Sequence, residues 1–196
     1  MRKRKNRTGF FIFVLLFVII VIAAIITGID AAKKLEYERR LAAHPKWYSE
    51  YVEKYAAEYE IDEDIIYAVI KTESDFDCEA VSNVGARGLM QIMEETFDWI
   101  KFRLDDDITV YDEMFDPETN IRYGAYLVDY LFEKFGDKDT AIAAYHAGAG
   151  SVSTWLEDKE NSADGKRLDS IPSETTSHYV NKINNALSNY KELYAQ

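Results

Sequence analysis

Glu73 is the side chain of this sequence best placed to move a proton. It closes the stretch Asp62–Ser74, DEDIIYAVIKTES, where Ile66, Val69 and Ile70 recur at helical spacing. Glu73 falls on the same stripe, seven positions after Ile66. Burial disfavours a carboxylate and raises its pKa, so an acid on an apolar stripe can hold a proton near neutrality, as a general acid must. The stretch alone favours a second reading, in which the stripe has run out and Glu73 sits in water at the helix end, as surface glutamates commonly do. Other chemistries find less support. The three histidines, His44, His146 and His178, are scattered, and there is no HExxH or Cys/His cluster. No metal and no cofactor is therefore expected. Cys78 is the one cysteine, which excludes an intrachain disulfide, and no His stands beside it in the pattern to activate it.

The elements that must position Glu73 follow an apolar leader. Phe10 to Ile26 is unbroken apolar sequence, preceded by Arg2, Lys3, Arg4, Lys5 and Arg7. About 20 helical residues span the roughly 30 Å of a bilayer core, and a basic flank stays cytoplasmic. The run exceeds a usual signal peptide and no small-residue cleavage site follows, so an uncleaved anchor is expected. The reading is a cytoplasmic segment 1–9, a transmembrane helix 10–29, a helical spacer 30–44 and a domain 45–196, with the domain outside the cell. Roughly 150 residues suit one domain. Five of the 23 basic residues lie in the first seven positions, so the rest is more acidic than the net charge of −12. That argues against nucleic acid, whose phosphates need a basic face.

Within the domain, Pro45 suits the first turn of a helix, and Trp47, Tyr51, Tyr55 and Tyr59 form a core stripe. Ser82–Gly88 is a tight glycine loop, after which Leu89–Phe102 reads as a helix. Asp116-Pro117 opens a helix that Gly136 ends. Thr140–Ala147 is a short apolar helix, 161–168 a polar, mobile loop, and Thr175–Tyr194 a last helix. The expected class is all-α.

Four blocks in order carry a resemblance. They are Glu73-Ser74-Asp75-Phe76; Ala80-Val81-Ser82 with the run Gly85 to Met93; Ala144-Tyr145-His146-Ala147-Gly148-Ala149-Gly150; and Glu174-Thr175 with Tyr179-Val180. Asp116-Pro117, Asn120-Ile121 and Gly124 match a linking motif. Together they resemble the soluble-type (SLT) lytic transglycosylases, across about residues 47–194. The resemblance implies a goose-type lysozyme-like helical domain acting on peptidoglycan glycan strands. It implies cleavage between N-acetylmuramic acid and N-acetylglucosamine with closure of a 1,6-anhydro ring.

It further implies that Glu73 is the single catalytic acid and base, with Ser82, Gln91, Met93, Tyr145, His146 and Tyr179 binding substrate. Read without the family, Ser82 is a turn serine, Met93, Tyr145 and Tyr179 are core residues, and Gly85 and Gly88 let a backbone come close to its ligand. Glu174 is expected to cap or brace the last helix. Asp75, Asp77 and Glu79 are expected to be solvated. His146 departs from the family's Asn, and Glu94 from a common Pro. A hydrolase on the same fold and a non-catalytic glycan-binding scaffold are the alternatives.

Overall fold

A computed structural model describes residues 7–195. Arg2, Lys3, Arg4 and Lys5 lie outside the described residues. The chain divides into two units, the first ending at Ala43 and the second beginning at His44.

The first unit is helix α1, Arg7–Ala43. Its apolar side chains from Phe10 to Ile29 are exposed. One continuous helix carries both the apolar run and the charged stretch after it, long and apolar enough to cross a bilayer.

The second unit contains α2 (Ser49–Glu58), α3 (Glu63–Glu73), α4 (Glu94–Arg103), a 3₁₀ turn (Tyr111–Phe115), α5 (Pro117–Phe135), α6 (Lys138–Ala147), α7 (Ala149–Glu157) and α8 (Glu174–Tyr194). Among the described residues there is no strand. Two isolated antiparallel bridges, Val81–Arg87 and Arg87–Ile92, are the nearest approach to one. The α3 stripe is buried as its spacing predicts: Ile66, Ala68, Val69 and Ile70 are core, as are Ile65 and Tyr67. Each such aliphatic side chain contributes about 1.5–3 kcal/mol when fully buried. α8 packs along α3, and α6 packs against α5, α7 and α8. Ile121 and Tyr123 of α5 and Ile183 and Tyr190 of α8 complete the core.

Side-chain caps start α3, α5, α6 and α8. Asp62 accepts from the Asp64 N–H at 3.0 Å, Asp116 from Thr119 at 2.9 Å and Asp137 from Thr140 at 2.9 Å. Ser173, not Glu174, caps α8, accepting from the Thr176 N–H at 3.3 Å.

Four expectations need correction. Pro45 does not open a helix, because the carbonyls of His44 and Pro45 accept from the hydroxyls of Tyr194 and Tyr190 at 2.9 and 3.1 Å. Trp47 is 59% exposed, so only part of the tyrosine stripe after it is core. Leu89–Met93 is not helical. Gln91 takes left-handed backbone at φ 51°, and the carbonyls of Leu89, Met90 and Ile92, which a helix would turn on its own N–H groups, accept instead from Ser74 Oγ, the Tyr145 hydroxyl and the Arg87 N–H. The 161–168 loop is pinned rather than loose. The Asp158, Asp164 and Asp169 carboxylates accept backbone N–H groups, Ser162 is buried, and the Leu168 N–H reaches Thr140 Oγ1 at 3.0 Å.

Candidate active site

α3 ends at Glu73 because the chain turns sharply after it. Ser74 caps the helix, and Asp75 and Phe76 both adopt left-handed backbone, at φ 53° and 68°. Such residues cost about 1–2 kcal/mol each. Burial of Phe76 and the Lys71–Asp75 ion pair offset that. Ser74 Oγ donates to the Leu89 carbonyl at 2.8 Å, which fixes the glycine loop against the end of α3.

The Glu73 carboxyl is desolvated there, and this burial pushes its pKa up to about 7. Two groups on α8 oppose the rise. The Tyr179 hydroxyl donates to Glu73 Oε1 at 2.6 Å, and Lys182 adds a positive charge. No second carboxylate is among the groups that shift it. Asp75, Asp77 and Glu79 are exposed, as expected of solvated acids. Tyr179 is itself held neutral, its pKa raised by burial and then by the negative charge of Glu73. The result is a carboxyl group with one fixed donor that exchanges its proton near neutrality.

The wall around it comes from α6 and the glycine loop. The Tyr145 hydroxyl donates to the Met90 carbonyl at 2.8 Å, and burial first, then Glu73, raises its pKa. His146 lies with its ring 4.6 Å from the Tyr179 ring, tilted by 31°. Desolvation holds its pKa below the ordinary 6.5. A groove of about 470 Å³ opens beside Tyr145, lined by Glu95, Thr96, Trp99, Tyr130 and the turn from Gly148 to Gly150. A larger groove of about 790 Å³, between the end of α5 and α7, contains none of these proton-handling groups.

The other sequence-predicted residues serve the loop first. Ser82 Oγ accepts from the N–H groups of Ala86 at 3.0 Å and Val84 at 3.3 Å, so it is a turn serine whose hydroxyl hydrogen remains for another acceptor. Gln91 donates its amide to the carbonyls of Gly88 and Ala80 at 2.9 and 3.1 Å, which braces the loop from inside. Met93 is 38% exposed at the start of α4 and, like Glu73, Ser82, Gln91, His146 and Tyr179, does not line the 470 Å³ groove beside Tyr145.

Gly88 does not make room for a ligand. A Cβ there would meet the Met114 carbonyl at 2.0 Å and Asn120 Nδ2 at 2.4 Å, so its smallness lets the loop seat on α5. Gly85 faces open space at φ +91°. Asn120 holds that seat. It is fully buried, accepts from the Met90 N–H and donates to the carbonyls of Arg87 and Met114 at 3.0 and 2.8 Å. Thr176 and Lys182 are site residues that sequence reasoning missed. Both lie one turn from Tyr179 on α8, at i−3 and i+3, and that spacing is the signal that points to them.

Residues 50–168 match the family described as the transglycosylase SLT domain. The soluble lytic murein transglycosylase of Escherichia coli K12 is 33% identical over 142 residues, which is 71% of this chain and 22% of that one. The membrane-bound lytic murein transglycosylase C of Yersinia pestis is 32% identical over 162 residues, 71% of this chain and 45% of that one. The chain thus spans under half of the length of these curated relatives. Among solved structures, the 70 kDa soluble lytic transglycosylase of Escherichia coli superposes with a TM-score of 0.67 at 28% identity, over 76% of this chain and 25% of that one. An inactive Glu-to-Gln mutant of the Slt lytic transglycosylase from Pseudomonas aeruginosa superposes equally well, at 0.67 and 27% identity, over 76% and 24%.

Proposed function

The chain belongs to the transglycosylase SLT domain family, and from that premise we propose that it is a membrane-anchored lytic transglycosylase of peptidoglycan with Glu73 as its sole acid and base. The observation that carries this is the Glu73 carboxyl itself, desolvated to a pKa of about 7 and held by the Tyr179 hydroxyl at 2.6 Å.

The reaction needs two opposite acts of one group. Glu73, protonated, gives its hydrogen to the glycosidic oxygen between N-acetylmuramic acid and N-acetylglucosamine, and the bond to the anomeric carbon breaks. The resulting carboxylate then takes the hydrogen of the muramic acid's C6 hydroxyl as that oxygen closes onto the anomeric carbon. The acid is regenerated and a 1,6-anhydro end is formed. A pKa close to working pH serves both halves. Tyr179 favours the carboxylate between them, since its hydrogen bond stabilises the charged form. An inverting hydrolase needs a second carboxylate to activate water, and a retaining one needs a carboxylate nucleophile. The proposed reaction uses the sugar's own C6 hydroxyl where those enzymes use a second carboxylate. Ser82, Gln91, Met93, Tyr145, His146 and Tyr179 are assigned to the substrate side of the site, Gln91 by shaping the loop. The glutamate-dependent activity of the Pseudomonas aeruginosa relative supports a catalytic Glu on this fold.

The apolar part of α1 anchors the protein, and the basic residues ahead of it keep that end cytoplasmic. The catalytic unit then faces the wall. Clearing of purified peptidoglycan tests the assignment. The wild-type protein is expected to clear it and Glu73→Gln to leave it turbid, whereas clearing by the variant removes Glu73 from the mechanism.

A further inference from the structure

A directional hydrogen-bond chain runs from the start of α8 to the His146 ring. Thr176 Oγ1 donates to Ser173 Oγ at 3.1 Å. Ser173 Oγ also accepts from the Thr176 N–H at 3.3 Å and lies 3.0 Å from Thr175 Oγ1, which can take its hydrogen. His146 Nδ1 is 3.1 Å from Thr176 Oγ1. A hydroxyl has one hydrogen, and that of Thr176 is spent on Ser173. With that hydrogen on Ser173, Thr176 accepts from His146 and Nδ1 carries the ring hydrogen. Thr176 is 1% exposed, so water does not compete for the contact. A neutral imidazole has one N–H, which leaves Nε2 with a bare lone pair. Desolvation favours that neutral form. Among the described residues Nε2 has no protein partner, and the ring is exposed beside Tyr179 on the Glu73 wall.

We infer that His146 Nε2 is a one-way hydrogen-bond acceptor for the glycan, taking a hydrogen from a hydroxyl or acetamido N–H of the sugar bound beside Glu73. This rests on the glycan-cleaving reading and deepens it. An Asn at this place, as the family resemblance implies, offers both a donor and an acceptor, so it accepts either polarity of sugar group. The Thr176 contact removes that ambiguity in this chain. The site then favours a glycan that presents a donor here and rejects one in which that donor is substituted, because the lone pair would be left buried and unpaired.

The test is histidine-selective ¹⁵N NMR of the full chain in detergent, with His146→Gln identifying the resonances and an N-acetylglucosamine tetramer as probe. Nδ1 is expected to bear the hydrogen, Nε2 to be bare, and saturating tetramer to move the Nε2 resonance. His146→Ala, and Thr176→Val by releasing the tautomer, should each weaken tetramer binding about fivefold, the worth of one hydrogen bond. A hydrogen on Nε2, an Nε2 resonance unmoved by the tetramer, no tetramer binding, or unchanged affinity in both variants overturns the inference. Digestion of peptidoglycan by the wild-type protein is read separately. Its failure would remove the glycan-cleaving reading whatever the tautomer.

Discussion

Glu73→Gln is expected to stabilise the protein at alkaline pH and not at acid pH, while abolishing its activity throughout. The carboxyl group titrates at its ordinary 4.5 when unfolded and at about 7 when folded. Below pH 4.5 it is neutral in both states and costs nothing. As pH rises, the unfolded chain releases the proton first, so the folded state loses stability until pH passes about 7. The gap from 4.5 to about 7, at about 1.4 kcal/mol per pH unit, amounts to about 3 kcal/mol. Gln is neutral at every pH, has nearly the same shape, and its carbonyl can still accept from Tyr179. Urea unfolding of both proteins, followed by tryptophan fluorescence, should show a difference close to zero at pH 4 and about 3 kcal/mol in favour of the variant at pH 8.5. The same difference at both pH values would mean that Glu73 titrates as a solvated acid, and the reasoning from burial to proton donation would fail.

Tyr179→Phe removes the donor that favours the carboxylate, so the Glu73 pKa should rise further and the alkaline limb of the activity profile should move to higher pH, with a lower maximum. An unmoved limb would show that the 2.6 Å contact does not act on the proton. Asn120→Ala strips three hydrogen bonds and takes the side-chain partner from the buried Met90 N–H and Met114 carbonyl, while the Arg87 carbonyl keeps the Ile92 N–H, a loss of about 3 kcal/mol in urea unfolding. Gly88→Ala should cost more than Gly85→Ala, because the first adds a collision with Met114 and Asn120 and the second only a left-handed backbone strain of about 1 kcal/mol. Protease added to intact wall-stripped cells should degrade the unit beginning at His44, whereas full protection would reverse the proposed topology.

What was legible in the sequence follows the range of the forces involved. The α3 stripe, the aspartate caps and the Gly136 stop are local, and local spacing shows them. Whether Glu73 was buried was not local. The residue that covers it, Tyr179, is 106 positions away, and only packing of α8 on α3 brings the two together. The Leu89–Met93 segment misled for a related reason. Leu89, Met90 and Ile92 are buried, but distant side chains, Ser74 and Tyr145, take the carbonyls of Leu89 and Met90, and Gln91 adopts left-handed backbone that no helix contains. Ser82 and Gln91 were assigned to substrate by motif, yet their polar atoms are largely spent on holding the loop. Thr176 was invisible because its part depends on which atom of a neighbour has a hydrogen left to give.

Product analysis is the most direct test of the central claim. Purified peptidoglycan is digested with the wild-type protein and the released fragments are weighed by mass spectrometry. A lone acid and base with an internal nucleophile predicts fragments ending in 1,6-anhydro-N-acetylmuramic acid, lighter by one water than hydrolysed ends and absent with Glu73→Gln. Fragments with reducing N-acetylmuramic acid ends would show that water is the nucleophile and contradict the mechanism.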